Sequence, residues 1–159
     1  MNKNKDTTHK YQEGLFTAIS AGFFFLLIGI IFVVTPNLFD GIINFIDNFG
    51  LVNVPNTNII VPAPEIQRAH LTVYEAAGQF SIALAIFQIV VLALRFVIPS
   101  SWEKRSETVG NFIYWTGSAY LIQLFLIDTT QWFTFWSTII IVIGFSLIVR
   151  AAVMAISRI

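Results

Sequence analysis

The sequence predicts an all-α membrane protein: a four-transmembrane-helix bundle with a short amphipathic outer helix in its first loop. Three observations carry that expectation. Hydrophobic residues fill 56% of the 159 positions and charged residues only 11%, against roughly 45–50% and about 25% in soluble domains. Mean hydropathy is +0.75. The apolar residues are also gathered into four long runs separated by polar segments.

Residues 1–14 read as a cytoplasmic N-terminal arm. The first run, 15–35, carries no charge and has the roughly 20 residues that cross a hydrocarbon core of about 30 Å as a helix. It is too long for the apolar part of a signal peptide, and only Val33, Val34, Thr35 and Pro36 follow, without a small-residue cleavage site. The second run is 73–98, with Glu75 near its start and Arg95 near its end. The third is 110–127, and the fourth is 132–156 with Arg150 near its end. None alternates as a barrel strand does, and each is about twice a strand's length. A helix satisfies its own backbone groups in lipid, so helices are expected.

Positive charges near the run ends set the orientation. With the N-terminus inside, Lys3, Lys5, Lys10, Arg95, Lys104, Arg105, Arg150 and Arg158 fall inside, and Arg68 falls outside. Both termini, including 157–159, are therefore expected to be cytoplasmic. Residues 99–109 are then a cytoplasmic turn and 128–131 an outer turn, with Trp102 and Trp132 at opposite interfaces. Thr72 and Glu75 have the spacing of a capping box. Asp128 or Thr129, with Gln131, can open the fourth helix. Ser100 or Ser101 can start the third helix early.

The outer loop, 36–72, is the one long connection. Between residues 38 and 49 the polar Asp40, Asn44, Asp47 and Asn48 share one helical face. Phe39, Ile42, Ile43, Phe45, Ile46 and Phe49 make up a wide apolar face, with Asn37 as an expected cap and Gly50 as an expected stop. This helix either lies along the outer membrane surface or covers a neighbouring subunit. Beyond it, the prolines and asparagines of 51–64 favour extended or turn conformations. The layout resembles that of claudins and connexins in topology, although the paired outer cysteines of those families are absent.

Candidate functional residues are few. Glu75, Gln79, Tyr120, Gln123 and Asp128 reach the same outer depth and could form a polar cavity; capping is the competing role for Glu75. Ala77, Ser81, Ala85 and Gln88 form a helix-packing stripe that lets backbones approach closely. Ala18 and Gly22 are a weaker signal of the same kind. Arg95, Trp102 and Arg150 are expected as inner lipid-facing anchors, the arginines snorkelling to the interface.

Enzyme chemistry is not expected. There is no cysteine, and the two histidines, His9 and His70, are far apart in the layout. No Gly-x-Ser-x-Gly, His-Glu-x-x-His or phosphate-loop pattern occurs. Neither a cofactor nor a metal is expected. Nine basic residues balance nine acidic ones, which gives no footprint for nucleic acid. The expected partners are the lipid bilayer and either further copies, as a homo-oligomer, or a larger membrane complex. Two functions follow: a structural or accessory subunit of a membrane assembly, or an oligomeric ion channel or small-solute pore with an outer polar mouth.

Overall fold

The computed structural model describes residues 3–98 and 100–156, with side chains from residue 14 onward. The C-terminal 157–159, Pro99 and the side chains of Lys3, Lys5 and Lys10 lie outside the described residues. The element order is α1 (Lys3–Val34), α2 (Leu38–Asp47), β1 (Phe49–Asn53), β2 (Ile60–Pro64), a 3-10 turn (Gln67–His70), α3 (Leu71–Val97), α4 (Trp102–Leu121), a π-helical segment (Ile122–Asp128) and α5 (Trp132–Ile156). Among the described residues three helical stretches, Gly14–Val34, Gln67–Val97 and Trp132–Ile156, are long and apolar enough to cross a membrane.

Helix α1 runs through the expected arm without a break and stops just before Pro36. The residue preceding a proline is pushed out of the helical region, which ends the helix there. Helix α2 ends two residues sooner than the polar pattern implied. Asn37 precedes it in a left-handed conformation (φ 56°) with no side-chain cap bond, and Asn48 closes it by donating its N–H to the Asn44 and Ile46 carbonyls. Gly50 is not the stop: it lies within β1.

The proline-rich stretch is more ordered than an extended loop. Strands β1 and β2 pair antiparallel, with Leu51 opposite Pro62 and Asn53 opposite Ile60. Asn56, at φ 61°, turns the chain between them. The Thr57 hydroxyl donates to the Val54 carbonyl and accepts the Ile59 N–H.

The capping box does not form. The 3-10 turn leads straight into α3, His70 occupies the cap position, and Thr72 lies inside the first helical turn. The expected 99–109 turn is also shorter, because Ser101 caps α4 by accepting the Lys104 N–H at 3.3 Å. Asp128 and Thr129 do not open α5; the Trp132 N–H donates instead to Oε1 of Gln67 at 3.3 Å.

Helix α4 is packed along both α3 and α5, whereas α1 rests on α3. Small residues make the α4 contacts close. A Cβ on Gly117 would lie 2.6 Å from Cγ1 of Val142, and one on Gly110 would lie 3.3 Å from the Arg150 Cβ and the Ser146 carbonyl. At the end carrying α2 and the hairpin (the cap end), Tyr74, Leu121, Ile122, Leu126, Trp132, Phe135 and Ile139 form one core with Ala63 of β2. A second core joins Leu27 and Ile31 of α1 to Leu38, Ala76 and Leu84.

Candidate functional site: a polar strip at the cap end

Glu75 and Gln79 stand one turn apart on α3, and Tyr120 and Gln123 one turn apart on the opposite helix. With Gly78, Ile82, Ala119 and Ile127 they surround a cavity of about 340 Å³. Four of the five residues expected to converge therefore do so. Asp128 joins through Gln123, whose Nε2 donates to its Oδ1 at 2.8 Å. The π segment makes that bond: i→i+5 winding sets residues five apart on adjacent turns. All five side chains are exposed, Tyr120 at 65%. Below Gln79 the same face of α3 carries Ile82, Ile86 and Ile89, each about half exposed. Chemically the strip offers carboxylate acceptors beside amide and phenol groups. It suits hydrogen bonding to a polar surface, and it has no paired nucleophile and base.

The packing stripe is divided. Ser81 and Ala85 are buried, Gln88 is half-buried, and Ala77 is exposed. The Ser81 hydroxyl donates to the Ala77 carbonyl of its own helix at 2.8 Å, so it does not bond across a contact. In α1, Ala18 and Gly22 are exposed and nothing lies within 4 Å of a Cβ built on Gly22.

Helix α2 presents three faces rather than two. Leu38, Ile42 and Phe45 turn inward; Phe45 meets Phe49, His70 and Tyr74 edge-on at centroid distances of 5.1, 5.2 and 6.0 Å. Phe39, Ile43 and Ile46 are exposed. Asp40, Asn44 and Asp47 line a cleft of about 600 Å³ that His70 and Thr72 close on the other side. Asn48, read from the sequence only as part of the polar face, is the joint of this region. Its Oδ1 accepts the Ile66 N–H at 2.9 Å and the His70 Nε2–H at 3.0 Å. Gln67 is a second residue that the sequence did not single out; a single side chain reaching 65 residues along the chain leaves no local signal.

The far end of the bundle corrects the anchor reading. Arg95 is buried rather than lipid-facing: its guanidinium lies 5.0 Å from the Phe16 ring centroid and donates to the Ser100 hydroxyl at 3.2 Å. Arg150 is half-buried, with its stem against Gly110. Trp102 is exposed, and the Arg105 guanidinium lies over its ring and that of Phe96. Arg105 Nε donates to the Arg95 carbonyl at 3.1 Å, tying α4 to the end of α3. Lys104 pairs with Glu107 at 2.8 Å. That hydrogen bond, helped by the charges of Lys104, Arg150 and Arg95, holds the Glu107 carboxyl below its usual range against an opposing desolvation.

Among the described residues no group of three or more His, Asp or Glu side chains could hold a metal ion. Comparison with protein families, with curated proteins and with solved structures finds no match to this chain.

Proposed function

We propose that this chain is a four-span membrane protein with both termini cytoplasmic, acting as a structural or accessory subunit that packs beside copies of itself or within a larger membrane complex, without catalytic chemistry of its own. The span count rests on chain geometry. Helix α4 and its π continuation, 102–128, follow α3 after four residues and precede α5 after three. Links that short span no bilayer, and α4 packs along both α3 and α5, so if those two cross, α4 crosses between them. Its first turns carry Glu103, Lys104, Arg105 and Glu107, which suits a helix that begins in cytoplasmic water and continues between two neighbours.

The observation that carries the assembly reading is the exposed strip of Glu75, Gln79, Tyr120 and Gln123 on an otherwise apolar face. Polar side chains within a membrane face protein or water rather than lipid, and interhelical hydrogen bonds from such groups add to association. The test is the mass of the detergent-solubilised protein by light scattering, for wild type and for Gln79→Leu combined with Tyr120→Phe. Wild type is expected as an oligomer and the double variant as a smaller species. A wild-type monomer would remove the reading.

The cavity between the same four residues favours a second reading, a pore mouth between subunits. Glu75→Gln would then alter ion flux into liposomes. The isoleucines below Gln79 give that mouth no polar continuation, which is why packing is preferred.

A further inference from the structure

The two edges of the hairpin are unlike. The bonds flanking the ladder, Val54 N–H to Ile59 and Glu65 N–H to Asn48, extend the register 48–65, 50–63, 52–61 and 54–59 as the hydrogen-bonded pairs. In an antiparallel ladder such pairs alternate with pairs whose backbone groups point away from the partner strand. Residues 60, 62 and 64 of β2 and residues 49, 51 and 53 of β1 therefore turn their backbone groups outward. On β2 two of the three are prolines, Pro62 and Pro64, which have no N–H to offer and close an edge to further pairing. On β1 they are Phe49, Leu51 and Asn53, with neither a proline nor a charge among them. Leu51 at the centre is 79% exposed, and among the described residues β2 is the only element packed extensively along β1, with Phe49 also meeting the Phe45 and Trp132 rings.

We infer that the open edge of β1 pairs with β1 of a second copy, joining two hairpins into one four-stranded sheet at the cap end. The inference deepens the assembly reading by naming a contact, and it rests on that reading's side-by-side copies. Two copies inserted in one orientation and closed as a symmetric pair share a two-fold axis normal to the bilayer, and with β1 lying across that axis the two copies of the strand run antiparallel. Centring the axis on Leu51 sets Leu51 against its counterpart and Phe49 against Asn53 of the other copy. Each facing pair exchanges two N–H to carbonyl bonds through the groups that now point outward. The strand is its own complement: the exposed leucines meet at the centre, with a phenylalanine and an asparagine on each flank.

Because the chain contains no cysteine, single-cysteine variants read the contact directly. Hydrogen-bonded antiparallel partners have Cα atoms about 5.5 Å apart, within disulfide range. In membranes treated with a mild oxidant, Leu51→Cys should form a covalent dimer, and Ile60→Cys, on the closed edge, should form about tenfold less. Leu51→Pro removes an outward N–H and no bond of the hairpin itself. It should weaken self-association about tenfold, as loss of two hydrogen bonds implies, while the helical circular dichroism stays unchanged. If wild type is an oligomer and Leu51→Cys fails to cross-link, the edge contact is wrong and the assembly reading survives. If wild type is a monomer, both fall.

Discussion

The α4–α5 seam and the α1–α3 seam are both helix–helix contacts, yet they are built differently. Along α4, Gly110 and Gly117 sit where a Cβ would press into Arg150, Ser146 and Val142, and Ser106, Thr108 and Ser118 are buried beside them. Along α1, Gly14, Gly22 and Gly29 have nothing within 4 Å of a built Cβ. That helix is held by larger side chains: Leu27 and Ile31 are buried in the second core, Phe23 stacks on Phe87 at 4.0 Å, and Phe24 meets Phe80 edge-on at 5.6 Å. In lipid, apolar surface alone gives helices little reason to associate, so fit decides. The α4 seam has that fit by close approach at Gly110 and Gly117, whereas α1 has it through a few aliphatic and aromatic side chains. A small-residue spacing is thus a packing signal only where a neighbour occupies the space it leaves. Gly110 and Gly117 meet that condition, and Ala18 with Gly22 does not.

The contrast can be broken at single residues. Gly117→Leu forces a side chain into Val142 and should cost about 3 kcal/mol, the upper range of overpacking, read as a fall in thermal stability in detergent micelles. Gly22→Leu, measured beside it, should change stability by less than about 0.5 kcal/mol. Equal losses at both sites would mean that α1 is packed as tightly as α4. A smaller effect is expected at the α1 seam itself. Phe23→Ala removes the stack on Phe87 and should cost about 1 kcal/mol, visible as faster hydrogen exchange in α1 with α4 and α5 unaffected. The smallest concerns the charged turns at the start of α4. A carboxyl whose folded pKa is lowered contributes stability above its unfolded pKa of about 4.3 and loses it as the pH falls through the folded value. Both partners of the Lys104–Glu107 pair are more than a third exposed, so the contribution is small. Wild type should exceed Glu107→Gln slightly at pH 7, and the margin should close as the pH drops from about 5 through that lowered value.

Much of the helical layout was legible because it depends on local pattern. The charge-free run ending at Pro36, the polar face of α2 and the Ser101 start of α4 each follow from residues within a few positions of one another. The strip of Glu75, Gln79, Tyr120 and Gln123 was legible too: antiparallel helices of known length bring their ends to one depth. What escaped depends on distant partners. The prolines and asparagines of 51–64 said extended or turn but not which segments pair. Asn48, which accepts the Glu65 and Ile66 N–H groups at the open end of the hairpin, lies up to 18 residues from those partners. Arg95 looked like a snorkelling anchor because its position along α3 says how deep it lies and nothing of Phe16, which α1 sets against it. The π segment has no residue pattern of its own; it appears where Gln123 and Asp128 must share a face.

Everything proposed for this chain depends on α3, α4 and α5 crossing a bilayer in alternate directions. Single cysteines placed at Asn56, Ser101 and Thr129 of the cysteine-free chain, labelled in sealed cells with a membrane-impermeant maleimide, test that directly. Asn56 and Thr129 should react from outside, and Ser101 only after the membrane is opened. Labelling of Ser101 from the same side as Asn56 would contradict the account.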